Sequence, residues 1–259
     1  MDYNYIKNTA IGAAYGGGKI LQSHLGNLER IDKKGPEDLV TSADIASENH
    51  IIGVLGEKFP DHDILAEESG ERLQGKNGCL WIIDPLDGTT NFAHQLPLFS
   101  VSIAFAKDGE LMVGVVLNPV TGDLFTATAG QGAALNGHRI TVSACRQVSE
   151  SLLVTGFPYD VKQDTAPYMK RFEQCLSAAM GIRRLGSAAL DLCFVACGRF
   201  EGFWEQNLKP WDTAAGTLIA REAGAEVTDF SGDPYRPDKK EILATNGHIH
   251  REMFSILTL

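Results

Sequence analysis

Residues 81–91 read Trp81-Ile82-Ile83-Asp84-Pro85-Leu86-Asp87-Gly88-Thr89-Thr90-Asn91, an apolar strand with one acid at its tip and a second three residues later. Pro85 stiffens the turn between them. Like carboxylates held close repel: at ~4 Å and an effective dielectric near 20 the cost is about 4 kcal/mol. A cation removes that cost, and carboxylates without thiolate or imidazole company suit a hard ion, Mg²⁺ or Mn²⁺. Gly88-Thr89-Thr90-Asn91 then reads as a short helix start whose backbone N–H groups suit an anion such as phosphate. A plain D-x-x-D-G turn with one acid capping the helix fits the same spacing, and on spacing alone both readings stand.

Outward from this stretch, FSVSIAFAK (99–107), Asp108-Gly109 and ELMVGVVLNP (110–119) form a predicted hairpin. DILAEE (63–68) precedes it as a short strand ending in Glu67 and Glu68, whose bland reading is a solvated edge. DLFTATAG (123–130) and the Asn136-Gly137 turn continue an antiparallel meander. After residue 150 strands and helices alternate: strands at 151–155, 182–185, 200–205, 225–229 and 241–245, helices at 166–180, 187–197, 211–223 and 247–258. Such alternation behind an antiparallel half predicts a layered α/β (α+β) architecture. No linker or repeat divides it, so residues 1–259 are read as one domain with sub-halves near 1–148 and 149–259.

At the N-terminal end, Ile6, Ala10, Ala13, Gly17, Ile20 and His24 recur at helical spacing. Gly16-Gly17-Gly18-Lys19 invites a phosphate-loop reading, but Ile20 stands where Ser or Thr is required and Ala13 where the first Gly belongs. Small residues for close helix packing explain it better. Thr41-Ser42-Ala43-Asp44 reads as a capping box opening a second helix, with Ile45, Ile51, Ile52 and Leu55 inward.

Composition narrows the function classes. The chain is 44% hydrophobic and 22% charged, as globular domains are, and its 23 basic against 33 acidic residues leave a net charge of −10. That balance argues against direct nucleic-acid or anionic-membrane binding. No apolar run approaches the ~20 residues of a membrane span, and the N-terminal stretch, with Asp2 and no basic region, does not read as a secretory signal. Five cysteines without C-x-x-C, and Cys193 and Cys197 one helical turn apart, suit a reduced, cytoplasmic protein. Seven histidines without H-E-x-x-H argue against zinc.

Two further acids fall near helix starts. Asp212 follows Pro210-Trp211 in a first helical turn, where an acid ordinarily complements the dipole, and Asp44 has its capping role.

Together these segments resemble a known family. Residues 81–92, WIIDPLDGTTNF, are similar to the first signature of the inositol monophosphatase family, and Trp211-Asp212-Thr213-Ala214-Ala215-Gly216 to its second. KKGPEDLVTSAD (33–44), Ala66-Glu67-Glu68-Ser69, Gly186-Ser187-Ala188-Ala189 and GRFEGFWE resemble family blocks in the same order, across nearly the whole chain. The resemblance implies an αβαβα sandwich, usually homodimeric and often lithium-sensitive. It implies that Glu67, Asp84 and the Leu86 carbonyl hold one Mg²⁺, that Asp84, Asp87 and Asp212 hold a second, and that a weaker third lies near Glu67. Thr89, paired with Asp44, would orient the attacking water together with Glu67, while Gly88 and Thr89 grip the phosphate. Substrate hydroxyls would meet Asp87, Gly186, Ser187, Ala188, Glu205 and Asp212, and Lys33 would sit near the phosphate end in a mobile loop. The implied substrate is an inositol or similar polyol monophosphate. Arg183 and Arg184 fit either a second phosphate, as in fructose 1,6-bisphosphate, or a dimer interface or solvated edge. Adenosine 3′,5′-bisphosphate and histidinol phosphate share the architecture, and bacterial relatives are sometimes linked to the transcription machinery.

Overall fold

Two helices open the chain: α1 (Tyr3–His24) and, after the paired strands β1 (Ile31–Lys33) and β2 (Leu39–Thr41), α2 (Ser42–Lys58). The computed structural model describes residues 1–26, 31–33, 39–72 and 77–258. Lys33 closes β1; its side chain and the remainder of the loop to Pro36 lie outside the described residues. The two helices meet along small residues: a Cβ on Gly16 would fall 1.9 Å from His50 Nε2, and one on Gly17 would fall 2.7 Å from Ser47 Oγ. The glycine run is a packing seam. Two positions depart from the sequence periodicity. Leu21 is buried where Ile20 is only half-buried, and Ile45, expected inward, is 50% exposed. On α2 the first turns bury Asp44, Ser47 and Glu48, which hydrogen-bond to neighbouring segments, and the later turns bury the apolar Ile51 and Leu55.

Next come β3 (Asp63–Ala66), β4 (Gly70–Arg72), β5 (Cys79–Asp87), α3 (Thr89–Ala93), β6 (Ser100–Lys107), β7 (Glu110–Leu117), β8 (Leu124–Thr128), β9 (Gly132–Leu135) and β10 (His138–Ile140). The strands form one sheet ordered β10-β9-β8-β7-β6-β5-β3-β4, antiparallel except for β3 beside β5. Asp108 and Gly109, with φ of 51° and 86°, join β6 to β7, and Asn136 and Gly137, at 50° and 80°, join β9 to β10. Positive φ at both central residues is what lets a two-residue turn match the strand twist.

The chain continues through β11 (Leu152–Thr155), α4 (Ala166–Ala178), β12 (Gly181–Arg183), α5 (Ala188–Ala196), β13 (Gly202–Gln206), α6 (Pro210–Glu222), β14 (Glu226–Thr228), β15 (Glu241–Thr245) and α7 (His250–Leu257). Its strands make a second, mixed sheet ordered β12-β11-β13-β15-β14.

Strand alternation sorts the layers. Trp81 and Ile83 pack with Ile6, Leu21, Ile51 and Leu55 of α1 and α2, whereas Ile82 between them packs with α5 and α6. In the second sheet Val154, Phe203 and Ala244 face α5 and α6, while Leu153, Trp204 and Leu243 face Cys175 of α4 and Met253 of α7. The result is α1/α2, sheet, α5/α6, sheet, α4/α7: the expected αβαβα sandwich. The shared middle layer is tight, since a Cβ on Gly114 of β7 would fall 2.8 Å from the Ala215 carbonyl oxygen of α6. All five cysteines are free, and no described helix is long and apolar enough to cross a membrane.

Candidate active site

Asp44, Ser47 and Glu48 share one face of α2 through the i, i+3, i+4 spacing, and each grips a different segment. The Asp44 carboxylate accepts from Thr41 N at 2.9 Å and from Thr41 Oγ1, completing the capping box, while its other oxygen lies 3.3 Å from Thr89 Oγ1. Capping and site architecture are thus the work of one residue. Ser47 Oγ donates to the Pro85 carbonyl at 3.1 Å. Glu48 accepts from Glu68 N and Ser69 N, each at 2.8 Å, and so fixes the turn that begins at Glu67. Sequence reading missed Glu48, although its distance of four from Asp44 marks the same helix face. Glu48→Gln leaves one carbonyl oxygen for two amides; about 1–2 kcal/mol of stability is expected to be lost. Thermal unfolding measures this, and an unchanged melting temperature removes Glu48 from the account.

β5 delivers the acids through a bulge. Asp84 pairs with Ser102 and Asp87 with Ser100, so three steps on β5 match two on β6. In a regular strand residues three apart face opposite sides; the extra residue brings both acids to one cleft. That cleft, of about 680 Å³, is lined by Glu67, Asp84, Leu86, Asp87, Gly88, Thr89, Gly186, Ser187, Ala188, Glu205 and Asp212. Apart from Lys33 and the buried Asp44 behind Thr89, every residue the resemblance assigned to metal, phosphate or substrate hydroxyls lines this one space; Arg184 lines it too, whereas Arg183 does not.

Each acid has a fixed seat. Asp84 Oδ1 accepts from Leu86 N at 2.9 Å. Asp87 Oδ2 accepts from Ser187 Oγ, from Ala189 N at 2.9 Å at the start of α5, and from Ser100 Oγ at 3.4 Å. Glu67 follows β3, its N–H donating to the Ile83 carbonyl at 3.2 Å one residue before Asp84. Asp212, in the first turn of α6, accepts from Lys209 N at 2.7 Å. Thr89 Oγ1 lies 3.1 Å from the Leu86 carbonyl and 3.3 Å from Asp44. Both are acceptors, so its one proton is committed to them and the hydroxyl can only accept from a further donor.

The electrostatics are costly as they stand. Burial, then Glu67, Asp87 and Asp212, push the Asp84 carboxyl well above the usual range. Burial also raises Asp212, against the Lys209 N–H that favours its anion. Asp87 rises through burial to about 6, held down by its Ser187 and Ala189 donors. Among the described residues no salt bridge reaches Asp84, Asp87 or Asp212. Among the described residues, no three His, Cys, Asp or Glu side chains stand close enough together to hold a metal ion as they are. The donor set is what fits a metal: oxygen only, anionic, at one wall of a cleft, suiting a hard divalent cation rather than zinc.

The facing wall comes from the second sheet. Glu205, near the end of β13, is buried, and burial raises it to about 8 against the pull of Arg184. Asp191 lies behind it on α5, with one carboxylate oxygen unpartnered among the described residues; burial, Glu205 and Asp87 raise it. Asn91 Nδ2 donates to the Leu98 and Leu185 carbonyls at 2.7 and 2.8 Å, tying α3 to the Gly186 segment. Sequence reading passed over Asp191, which stands one helical turn beyond Ser187, and took Asn91 only as part of the helix start.

Known proteins resemble the chain along nearly its whole length. The sequence model of the inositol monophosphatase family matches residues 2–257. An "Inositol-1-monophosphatase" of Synechocystis sp. is 46% identical over 233 residues, covering 90% of this chain and 81% of its own. The "Nus factor SuhB" of Escherichia coli is 42% identical over 250 residues, 96% and 94% of the two chains. The crystal structure of extragenic suppressor protein suhB from Bartonella henselae superposes with a TM-score of 0.94 at 41% identity, covering 98% of each chain.

Proposed function

The chain belongs to the inositol monophosphatase family, and from that premise we propose that it is a Mg²⁺-dependent phosphomonoesterase. It hydrolyses inositol monophosphates, or similar polyol phosphates, to the alcohol and inorganic phosphate by direct in-line attack of water. The observation that carries this reading is one cleft with Glu67, Asp84, Asp87 and Asp212 at one side, Thr89 held by Asp44, and Glu205 opposite.

Glu67, Asp84 and the Leu86 carbonyl would hold one ion, Asp84, Asp87 and Asp212 a second, and a weaker third would sit near Glu67. Mg²⁺ held there would supply an acidified water and offset the negative charge of the phosphoryl group. The chain's own groups do the rest. Thr89, its proton committed to Leu86 and Asp44, accepts a hydrogen bond from the attacking water and aims it, with Glu67 as the second acceptor. Gly88 and Thr89 N–H groups hold the phosphate, and Glu205 with Ser187 and the Gly186–Ala188 backbone meets substrate hydroxyls. A trapped phosphoenzyme, or retained configuration at phosphorus, overturns direct transfer.

The test is phosphate release by purified protein, with and without Mg²⁺. The substrates are D- and L-inositol 1-phosphate, fructose 1,6-bisphosphate, adenosine 3′,5′-bisphosphate and histidinol phosphate. Mg²⁺-dependent turnover highest on the inositol phosphates is the expected result. Preference for another ester discards the polyol reading and keeps the metal site. The relatives named Nus factor SuhB favour a second reading, a protein-binding role in transcription carried by the same fold. Absence of turnover on every ester would put that role first.

A further inference from the structure

Gly156 has no conformational reason to be glycine. Its φ is not among the positive values at which L side chains are strained. What it lacks is room. A Cβ placed there would fall 2.1 and 2.2 Å from the two carboxylate oxygens of Glu205 and 2.3 Å from its carboxyl carbon. All three atoms of the Glu205 head group therefore occupy the space a side chain at 156 would take.

The register makes this a fixed relation. β11 runs parallel to β13, with Leu153 beside Gly202, Val154 beside Phe203 and Thr155 beside Trp204, so Gly156 follows directly beside Glu205. Thr155 Oγ1 donates to the Trp204 carbonyl at 2.7 Å, pinning the two strands at the last paired position. Gly156 is buried and does not line the cleft, whereas Glu205 does. The glycine thus acts on the cleft only through the carboxylate that leans across it.

We infer that Gly156 is a positioning and specificity-determining residue: its missing Cβ is the seat that aims the Glu205 carboxylate at the hydroxyl-bearing part of the substrate. This rests on the polyol reading of the site. Gly156→Ala obliges the carboxylate to withdraw by more than an ångström to reach ordinary contact at 3.4 Å. The atoms displaced are the far end of a flexible side chain, so the variant folds. Misplacing a contact by about 1 Å costs up to 10²-fold, and the loss falls on substrates that use Glu205.

The experiment compares kcat/KM for inositol 1-phosphate with that for p-nitrophenyl phosphate, which has no hydroxyls, in wild type and Gly156→Ala. The ratio is expected to fall about ten- to 100-fold, mainly through KM for inositol 1-phosphate. Glu205→Asp, one methylene shorter, is expected to restore part of the ratio in the Gly156→Ala background, which a general packing defect would not allow. A crystal structure of Gly156→Ala is expected to show the Glu205 carboxylate displaced. An unchanged ratio, or a carboxylate still in its wild-type place, overturns the inference. Wild-type protein that cleaves p-nitrophenyl phosphate but not inositol 1-phosphate overturns the polyol reading and the specificity role with it. The variant structure then still decides whether Gly156 seats Glu205.

Discussion

Asp84→Asn is expected to lower Mg²⁺-dependent turnover by about 10³-fold and, in the same protein, to raise the melting temperature once metal is removed. Both effects come from one buried charge. Asp84 is 1% exposed and faces three other carboxylates. An amide keeps the oxygen that accepts from Leu86 N, so the turn survives the change. A neutral oxygen is a poorer ligand for a hard cation, and metal assistance supplies several kcal/mol of barrier reduction, where each 1.36 kcal/mol is tenfold. Stability moves the other way. The folded Asp84 carboxyl titrates above the ~3.9 of an unfolded aspartate, so the native state binds more protons. The metal-free wild type therefore loses stability as pH rises through the raised pKa. The variant escapes that loss, and its advantage is larger at pH 8 than at pH 5. Added Mg²⁺ stabilises the wild type by mass action, about 2.7 kcal/mol at 100 times its Kd, and leaves the variant nearly unmoved. Melting curves with chelator and with Mg²⁺ should cross in order. Turnover within tenfold of wild type, or no reversal, removes Asp84 from the metal site.

What the sequence made legible was local. Asp108-Gly109 and Asn136-Gly137 announce hairpins because two residues with positive φ suffice to specify the turn. The capping box at Thr41 and Asp44 lies within four residues and appears as read. The acids of residues 84–87 were visible as a charge problem, but not the bulge that resolves it, since the extra residue shows only against Ser100 and Ser102 of the next strand. The roles of Glu48, Asp191 and Gly156 depend on contacts about 14 to 50 residues away, with Glu68 and Ser69, with Glu205, and across strand register. Periodicity misjudged Ile45 for the same reason: it assumes that a buried helix face is apolar, and the first turns of α2 bury polar side chains that bind other segments. Hydropathy sees which residues prefer the interior, not which backbone amides there need an acceptor.

Gly88→Ala is expected to cost about 2–4 kcal/mol of stability and about 10²-fold in turnover. Gly88 joins β5 to α3 with φ 94° and ψ 38°, a conformation that L side chains adopt at about 1–3 kcal/mol. Space adds to the conformational cost. A Cβ would fall 3.0 Å from the Leu98 carbonyl oxygen and 3.2 Å from that of Gly186, both backbone atoms of flanking segments that Asn91 already ties together. Neither can yield without moving Thr89 off Asp44 or the Gly186 segment off the cleft. At about 2–4 °C per kcal/mol for a chain of this size, the melting temperature should fall by roughly 4–16 °C. Gly122→Ala separates the two causes: its φ is 74°, and a Cβ there meets nothing within 4 Å. That control reads the conformational cost alone, with turnover unaffected. If Gly88→Ala loses no more stability than Gly122→Ala, the close approach of the Leu98 and Gly186 backbones does not hold the site. If it loses stability while keeping wild-type turnover, the Gly88–Thr89 turn is scaffold and the phosphate is gripped elsewhere.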